Sequence, residues 1–368
     1  MSAEQPAMTE KTFTAAELEG RIRYDGRVTR LDSGVGIDWT NSGFALRARC
    51  RGDIRVQLSL PKENQAGNYS YVVGTVDGET LTPAQIMERR VRVDGPGNYV
   101  LIRDLPEGVH EIRLIKVTEA QIGLVDFHSL TLCGELLDPP MPPQLKVEFI
   151  GDSITGGLHN LCRDGDVIPF AQEYEDGYHA YDGFASRLLP ADIHVVSLSG
   201  WGLVVGWGEP REDYSVPRVY DYTSFYRRAE EDAKWDFDSW TPDIVVMNIG
   251  TNDSCSTDDD PTLLSDETFC EKAQEFLCHL REVYPSAHIV WAMGVMGFGG
   301  NGRMRPLAES AVARRNREGD RRVTFIPLPE ERGGGGTHPT VMGHEQAAKA
   351  LCDALRPLLA QRTPEANG

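Results

Sequence analysis

The 368-residue sequence lacks the features of a disulfide-rich domain, a membrane-spanning protein or a nucleic-acid-binding protein. Its seven cysteines are scattered without CxxC pairs, which favours free thiols over a disulfide framework or a zinc site. No apolar run approaches the length that a bilayer-spanning helix requires. Acidic residues outnumber basic residues by 56 to 37, and the net charge of -19 argues against nucleic acid or an anionic membrane as a partner.

The amino terminus also lacks a recognisable targeting signal. Its first residues, MSAEQPAMTEKTFTAAELEG, are polar and acidic and contain no apolar core segment of the kind found in secretory signals. Together with the unpaired cysteines, this predicts a cytoplasmic location. The apolar fraction of 40% and the charged fraction of 25% are close to globular averages, so the chain can form a packed core.

Residues 20–137 consist of short segments in which apolar and polar residues alternate, separated by turns containing Gly, Asp and Pro. Examples are GFALRARC, YSYVVGTVDG and HEIRLIKV. This pattern is typical of antiparallel strands, and several of them at regular spacing predict a β-sandwich with a jelly-roll topology. The proline-rich residues 138–145 follow, and we expect them to form a stiff linker between two domains.

A different pattern occupies residues 146–362. Near-continuous apolar segments alternate with helical candidates, and the apolar segments are KVEFIG, IHVVSLS, DIVVMNIG, HIVWAMGV and VTFIPL. Strands that are apolar on both faces are typical of a parallel sheet covered by helices. The pattern therefore predicts a three-layer α/β/α domain with its functional site at the carboxyl ends of the strands. Two long stretches, residues 156–180 and 201–240, are expected to form the walls of a cleft there.

Polar residues follow three of the predicted strands, and a histidine precedes the last predicted helix. The first strand ends at Gly-Asp-Ser with Ser153, and the third is followed by GTND with Asn252. A neutral serine needs a base within hydrogen-bond distance, and His338 is the candidate. The oxyanion of an acyl transfer needs preorganised donors, which the Ser153 N–H and the Asn252 amide can provide. A glycine N–H of the SGWG segment, from Gly200 or Gly202, can provide a third, so the combination predicts a serine hydrolase site.

The motifs FIGDSITGG, SGWG, GTND and THPTVMGH resemble the four sequence blocks of the SGNH, or GDSL, hydrolase superfamily. The strand-rich first half followed by PPMPPQLKVEFIGDSITGG is most similar to carbohydrate esterase family 2, which includes acetylxylan esterases. That family joins a jelly roll to an SGNH domain and removes acetyl groups from sugars. The resemblance implies Ser153 as nucleophile and His338 as base. It also implies an oxyanion hole made by Ser153, Gly202 and Asn252, with Gly202 preferred to Gly200, and it implies no metal or organic cofactor.

One position departs from the superfamily pattern. Most SGNH enzymes have an aspartate three residues before the catalytic histidine, and here that residue is Gly335. Members of the resembled family work with a Ser-His dyad in which a backbone carbonyl holds the histidine, so we expect a carbonyl of residues 333–336 to orient His338. Glu330 or Glu331 is the alternative, acting from a distance. A catalytically weakened or non-hydrolytic protein is the competing interpretation.

Four further side chains have predicted roles near this site. Trp201 is a candidate for stacking on a sugar face. Asp152 is a candidate substrate contact, with the alternative that it holds the backbone of the nucleophile turn. Asp253 is expected to hold its own turn through side-chain-to-backbone hydrogen bonds. His344 lies within the last predicted helix, where we expect it to pack or cap rather than catalyse.

These features predict an esterase that removes acetyl or another short acyl group from a carbohydrate or glycoside hydroxyl through an acyl-enzyme. The expected partner is a small-molecule or oligosaccharide acyl ester. Two alternatives remain open. One is an acyltransferase that moves the acyl group to another alcohol, and the other is a non-catalytic carbohydrate-binding protein.

Overall fold

The structure is a computed structural model that describes residues 8–61, 67–162, 172–207, 211–230, 233–296, 300–331 and 338–360. Contacts within the chain divide it into two compact units. The first unit is Met1–Pro142 together with Thr223–Ala233, and the second is Pro143–Tyr222 together with Lys234–Gly368. Residues 223–233, which fall inside the predicted 146–362 domain, are thus part of the first unit.

The first unit is built on a nine-stranded antiparallel sheet that encloses one apolar core. Its strands and helix are β1 (Glu10–Thr14), β2 (Arg23–Asp25), β3 (Val28–Leu31), β4 (Gly34–Ile37), β5 (Gly43–Ser59), β6 (Ser70–Val76), α1 (Pro83–Arg89), β7 (Val91–Val93), β8 (Gly97–Lys116) and β9 (Val125–Leu136). The strand order is β3-β4-β9-β5-β8-β6-β7, with β1 paired to β9 and β2 paired to β5.

The two longest strands, β5 and β8, explain how a single sheet closes over this core. The sequence predicts two short strands on either side of Gly52, whereas the structure has one 17-residue strand, β5. The pairing of β5 with β8 shifts register between Cys50 and Arg55, and Gly52 has φ +76°. Such bulges bend a strand and increase its twist. The predicted antiparallel N-terminal domain is confirmed, as one curled and continuous sheet.

Residues 223–233 belong to the first unit because buried polar contacts hold them there. Asp38, which is 1% exposed, accepts the Ser224 hydroxyl at 2.7 Å and the Phe225 N–H at 2.5 Å. The Arg227 guanidinium donates to both carboxylate oxygens of Asp126, each at 3.0 Å. Buried ionic groups of this kind require such partners, because removing them from water without compensation is costly.

The second unit contains a five-stranded sheet in which all pairings are parallel. Its strands and α-helices are β10 (Leu145–Gly151), α2 (Ser153–Gly156), α3 (Tyr181–Leu188), β11 (Ala191–Ser197), β12 (Ile244–Asn248), α4 (Thr251–Asp259), α5 (Asp266–Val283), β13 (His288–Met296), α6 (Gly300–Arg317), β14 (Val323–Glu331) and α7 (Val341–Ala360). The strand order is β11-β10-β12-β13-β14.

Helices cover both faces of this sheet, which confirms the predicted three-layer arrangement. On one face, Phe149 of β10 meets the ring of Tyr181 in α3, with 5.8 Å between ring centroids. On the other, Trp291 of β13 meets Phe269 of α5, with 6.2 Å between centroids. Strands buried on both faces read as continuous apolar runs, which is why the sequence identifies all five. Among the described helices, none is both long and apolar enough to cross a bilayer.

Candidate active site

Ser153 lies where β10 ends and α2 begins. Gly151 must be a glycine, because a Cβ there would lie 2.0 Å from Oγ1 of Thr155 and 2.9 Å from the carbonyl oxygen of Asn248. Asp152 caps the short helix, with its Oδ1 accepting the Ile154 N–H at 3.0 Å. Ser153 is therefore the first helical residue, and its own N–H has no acceptor among the described residues.

His338 lies next to Ser153, although 185 positions separate them in the sequence. The Nε2 atom of His338 is 2.8 Å from Oγ of Ser153, a distance at which the hydroxyl can donate to a neutral imidazole. Burial lowers the pKa of His338 to about 3, and His159 adds to this effect. The rings of His159 and His338 meet edge to face, with 5.5 Å between centroids. The imidazole is therefore neutral near pH 7, as a general base must be.

Residues 198–206, which we call the Gly200 loop, follow β11 beside the nucleophile turn. The Leu198 N–H donates to the Gly151 carbonyl at 3.2 Å and so joins the loop to the end of β10. Each backbone N–H from Trp201 to Trp207 has an acceptor within the described residues. Those of Leu203, Val204 and Val205 donate to the Asp253 carboxylate. The other four donate, in chain order, to the backbone carbonyls of Leu198, Tyr214, Arg211 and Gly200. The Gly200 N–H has no such acceptor, so it is an open donor of this loop within the described residues.

Gly202 has a different role from the one predicted. Its N–H donates to the Tyr214 carbonyl at 3.0 Å, so the group that the resemblance assigned to the oxyanion is already occupied. A Cβ on Gly202 would lie 2.0 Å from the Val205 carbonyl oxygen and 2.5 Å from Oδ2 of Asp253. Glycine is thus needed there for close packing. Gly200, by contrast, has φ +80° and open space around the position of a Cβ.

The Asp253 carboxylate holds the Gly200 loop. It accepts the backbone N–H groups of Leu203, Val204 and Val205 at 2.7, 2.7 and 3.0 Å. The prediction placed these bonds in the turn of Asp253 itself, whereas they reach a loop about fifty residues earlier in the chain. Asp253 is fully buried, and burial raises its pKa to about 6 against the opposing effect of the three donors.

Asn252 connects the nucleophile turn with the Gly200 loop. Its Nδ2 donates to Oδ2 of Asp152 at 3.2 Å and to the Trp201 carbonyl at 2.9 Å. Asp152 is 0% exposed and binds Ile154 and Asn252, so it holds the turn and is not available as a substrate contact. Of its two predicted roles, the structure supports the backbone-holding one.

Trp207, which directly follows the Gly200 loop, is an exposed aromatic residue. Trp201 is only 6% exposed and packs edge to face against Tyr214, with 5.4 Å between centroids, so it does not offer an open stacking face. The side chain of Trp207 is open to solvent, with the residue 63% exposed, and its backbone N–H donates to the Gly200 carbonyl at 2.7 Å. An indole that is fixed through its backbone and open to solvent is the better candidate for stacking on a sugar ring.

Within the described residues, neither of the two glutamates that the sequence offers for orienting His338 binds its imidazole. Gly335 and the other residues of 332–337 lie outside the described residues, and so does the predicted backbone carbonyl. Glu331 accepts the Thr340 N–H and hydroxyl at 2.8 and 2.9 Å. Glu330 lies 3.6 Å from Arg305. The two glutamates therefore bind other residues.

His344 packs inside the second unit, as its position in the sequence predicts. It is fully buried, and its Nδ1 accepts the Tyr181 N–H at 3.2 Å. Burial lowers the pKa of His344 to about 3, so its imidazole is neutral. Within the described part of the chain, no three His, Cys, Asp or Glu side chains are arranged to hold a metal ion.

Three features of the site were not found from the sequence. The open N–H of Gly200 becomes evident only when the acceptors of its neighbours are known. His159 reaches His338 from the long loop after α2, and nothing in its spacing indicates this. The contact between Glu331 and Thr340 joins residues on either side of a glycine run. The sequence feature that could have indicated it is a Thr at a helix start, a favoured N-cap residue, with an acidic residue before it in the chain.

Comparison with known proteins identifies the family. Residues 149–346 match the model of the GDSL-like Lipase/Acylhydrolase family. The chain belongs to that family. Residues 24–140 match the Carbohydrate esterase 2 N-terminal model, so the chain combines an acylhydrolase domain with the N-terminal domain of carbohydrate esterase family 2. The predicted resemblance is confirmed, and the prediction of a carboxylic ester hydrolase is confirmed at the level of the family.

Individual relatives agree with this assignment. The chain is 31% identical over 354 residues to Cellulase/esterase CelE of Acetivibrio thermocellus, covering 94% of this chain and 40% of that protein. It is 23% identical over 359 residues to an acetylxylan esterase / glucomannan deacetylase of Cellvibrio japonicus, covering 96% of this chain and 93% of that protein. A solved family two carbohydrate esterase from Clostridium thermocellum, in complex with cellohexaose, is 28% identical with a TM-score of 0.81, covering 92% and 99% of the two chains.

Proposed function

We propose that the chain is a carbohydrate esterase that removes acetyl or another short acyl group from a sugar hydroxyl through an acyl-enzyme. The observation that carries the proposal is the 2.8 Å contact between Oγ of Ser153 and Nε2 of His338 at the carboxyl edge of the parallel sheet. Family membership supports the class of reaction. The names of the relatives, which include an acetylxylan esterase / glucomannan deacetylase, support an acetylated polysaccharide or oligosaccharide as substrate.

In the first half of the proposed reaction, His338 takes the proton of the Ser153 hydroxyl as Oγ attacks the ester carbonyl. The carbonyl oxygen becomes an oxyanion. The N–H groups of Ser153 and Gly200, which have no other acceptor among the described residues, are the proposed donors to it. Protonated His338 then gives its proton to the departing sugar oxygen, leaving the acyl group on Ser153.

In the second half, water attacks the acyl-enzyme and His338 accepts its proton. As this intermediate collapses, the bond between the acyl carbon and Oγ breaks, His338 returns its proton to Oγ of Ser153, and the acid (acetate when the acyl group is acetyl) is released. Burial lowers the pKa of His338, so its imidazole is neutral near pH 7 and can accept a proton at the start of each half of the reaction. No step in this scheme requires a group other than the substrate, water and these residues.

Asn252 is the proposed third donor to the oxyanion. Its longer hydrogen bond, 3.2 Å to Asp152, is the one that it would exchange for the oxyanion, while the 2.9 Å bond to the Trp201 carbonyl keeps the amide in place. Catalytic hydrogen bonds commonly tighten only when substrate is bound. Trp207, with its exposed indole, is the proposed surface for a sugar ring.

The test compares wild type with Ser153→Ala on nitrophenyl acetate and on acetylated xylan oligosaccharides, with acetate release measured for the second. Ser239→Ala, which changes an exposed serine of the same unit, is the matched control. We expect the wild type and the control to hydrolyse both substrates and Ser153→Ala to fall to the background rate. Equal rates in wild type and Ser153→Ala would contradict the esterase proposal. Hydrolysis of nitrophenyl acetate alone would contradict only the carbohydrate part.

A further inference from the structure

The Glu331 carboxylate binds the residue from which the last helix starts. Glu331 is the final residue of β14, and Thr340 immediately precedes α7. The Thr340 N–H donates to Oε2 of Glu331 at 2.8 Å, and the Thr340 hydroxyl donates to Oε1 at 2.9 Å. One carboxylate therefore receives both donors of one residue, and hydrogen bonds to an ionised acceptor are stronger than neutral ones.

Gly343 makes room for this contact. It lies in the first turn of α7, where a Cβ would be 2.2 Å from Oε2 of Glu331 and 2.9 Å from the Glu331 Cβ. A larger residue would therefore displace the carboxylate. The Thr340 hydroxyl also accepts the Gly343 N–H at 3.4 Å, and the Thr340 carbonyl accepts the His344 N–H at 3.0 Å. Thr340 is thus fixed to the strand through Glu331 and to the helix through its own cap.

A short and stiff connection links Thr340 to His338. The intervening residue is Pro339, which is buried and whose ring restricts φ to about −65°. A displacement of Thr340 therefore moves His338, whose Nε2 lies 2.8 Å from Oγ of Ser153. Misplacement of reacting groups by about 1 Å can reduce a rate by about 10²-fold.

We infer that Glu331 is a positioning residue for His338, which acts by holding Thr340 and so keeps Nε2 within hydrogen-bond distance of Oγ of Ser153. The inference rests on the proposed function, because it takes His338 as the base. Within the described residues, the hydrogen bonds of Glu331 go to Thr340, so its effect on the imidazole is indirect. This role differs from the direct, long-range orientation that the sequence suggested.

The test uses two disruptive variants, each with a matched control. Glu331→Ala removes the carboxylate, and Glu330→Ala removes the neighbouring carboxylate, which faces Arg305. Thr340→Val removes the hydroxyl, and Thr340→Ser retains it. With nitrophenyl acetate as substrate, we expect kcat to fall about 10²-fold in Glu331→Ala and about 10-fold in Thr340→Val, with KM changed less than about threefold. Both controls should stay within about twofold of wild type.

The outcomes separate this inference from the proposed function. A kcat within about threefold of wild type in Glu331→Ala, while Ser153→Ala is inactive, would overturn the inference and leave the proposed function intact. A loss that appears in KM instead of kcat would also overturn it, because Glu331 would then shape the substrate site. Wild-type activity no higher than that of Ser153→Ala would overturn both. If Glu331→Ala does not fold, the Thr340 pair decides: equal kcat values contradict the inference, and a lower kcat in Thr340→Val supports it.

Discussion

Two segments of the second unit flank Ser153. Each is held by a different carboxylate, and the two carboxylates bind their segments in different ways. Asp253 accepts three consecutive backbone N–H groups of the Gly200 loop from a fully buried position. Glu331, which is partly exposed, accepts both donors of the single residue Thr340. One carboxylate thus holds three consecutive residues of the Gly200 loop, whereas Glu331 holds a single residue beside His338, next to which the Val341 N–H donates to the Asn160 carbonyl at 3.2 Å.

The difference fits what each segment must do in the proposed reaction. A donor to an oxyanion contributes most when it is preorganised and does not move. A base must exchange a proton with three partners in turn, which are the serine, the leaving sugar and water. Glu331 acts on the backbone two residues away from the imidazole and does not itself bind the ring.

The largest effect is expected on the His338 side. We expect His338→Ala to lower kcat for nitrophenyl acetate by roughly 10⁴- to 10⁶-fold, because no other described group accepts the Ser153 proton. His288→Ala is the control, since this histidine lies at the opposite, amino end of β13 and binds Thr324. A loss below about 10-fold in His338→Ala would mean that the base is another residue.

On the Gly200 side, Asn252→Ala should lower kcat by about 10²- to 10³-fold if the amide is an oxyanion donor. The variant also removes the amide hydrogen bonds to Oδ2 of Asp152 and to the Trp201 carbonyl. Burst kinetics with nitrophenyl acetate would locate the loss in acyl-enzyme formation. An unaltered kcat would remove Asn252 from the site and leave Ser153 and Gly200 as the proposed donors.

A smaller effect is expected where Asp253 is removed, because the loop that it holds remains attached elsewhere. We expect Asp253→Ala to lower kcat by about 10- to 10²-fold through displacement of Gly200. Two of the three N–H groups that lose their acceptor belong to the buried residues Leu203 and Val205, so the free energy of unfolding should fall by roughly 2 to 6 kcal/mol, at about 1 to 3 kcal/mol for each buried group. Asp258→Ala, in the same helix but exposed, is the control for both measurements. Wild-type kcat in Asp253→Ala would show that Gly200 does not depend on this carboxylate.

The smallest expected effect concerns the pH profile of kcat/KM, namely the pH at which activity is lost on the acid side. A histidine base loses activity when it is protonated, and burial lowers the pKa of His338 from its usual 6.5 to about 3. We therefore expect activity on a neutral ester to persist well below pH 6.5. An inflection near pH 6 that disappears in Asp253→Ala would report Asp253, whose pKa burial raises to about 6. An acid limb centred near 6.5 in both proteins would contradict the low pKa of His338.

Sequence patterns predict the fold well where burial is regular. The strands β10 to β14 are apolar on both faces, so their runs mark the sheet and place Ser153 at its edge. The segment TNDSCSTDD forms α4, which was not predicted, because Asn, Asp, Ser and Thr are poor helix formers. Tertiary contacts of Asp253 and of the Ser256 hydroxyl, which donates to the Gly206 carbonyl at 2.7 Å, hold it instead.

Sequence patterns predict the residue types of the site but not every assignment within it. Ser153 and His338 could be paired because parallel strands bring their carboxyl ends to one edge. The sequence resemblance favours Gly202 over Gly200, and the reason to prefer Gly200 could not be seen there, because it depends on the carbonyl of Tyr214, twelve residues later, which accepts the Gly202 N–H. Trp201 and Trp207 are equivalent by residue type, and only packing against Tyr214 separates the buried one from the exposed one.

The most direct test of the account is to trap the acyl-enzyme. Wild type and Ser153→Ala would each be mixed with nitrophenyl acetate, quenched in acid within one turnover, digested and analysed by peptide mass spectrometry. We predict one acetyl group on the Ser153 side chain in the wild-type protein and none on the corresponding peptide of Ser153→Ala. Acetyl on another residue at the same rate in both proteins, or turnover without any acyl-enzyme in a burst experiment, would contradict Ser153 as the nucleophile.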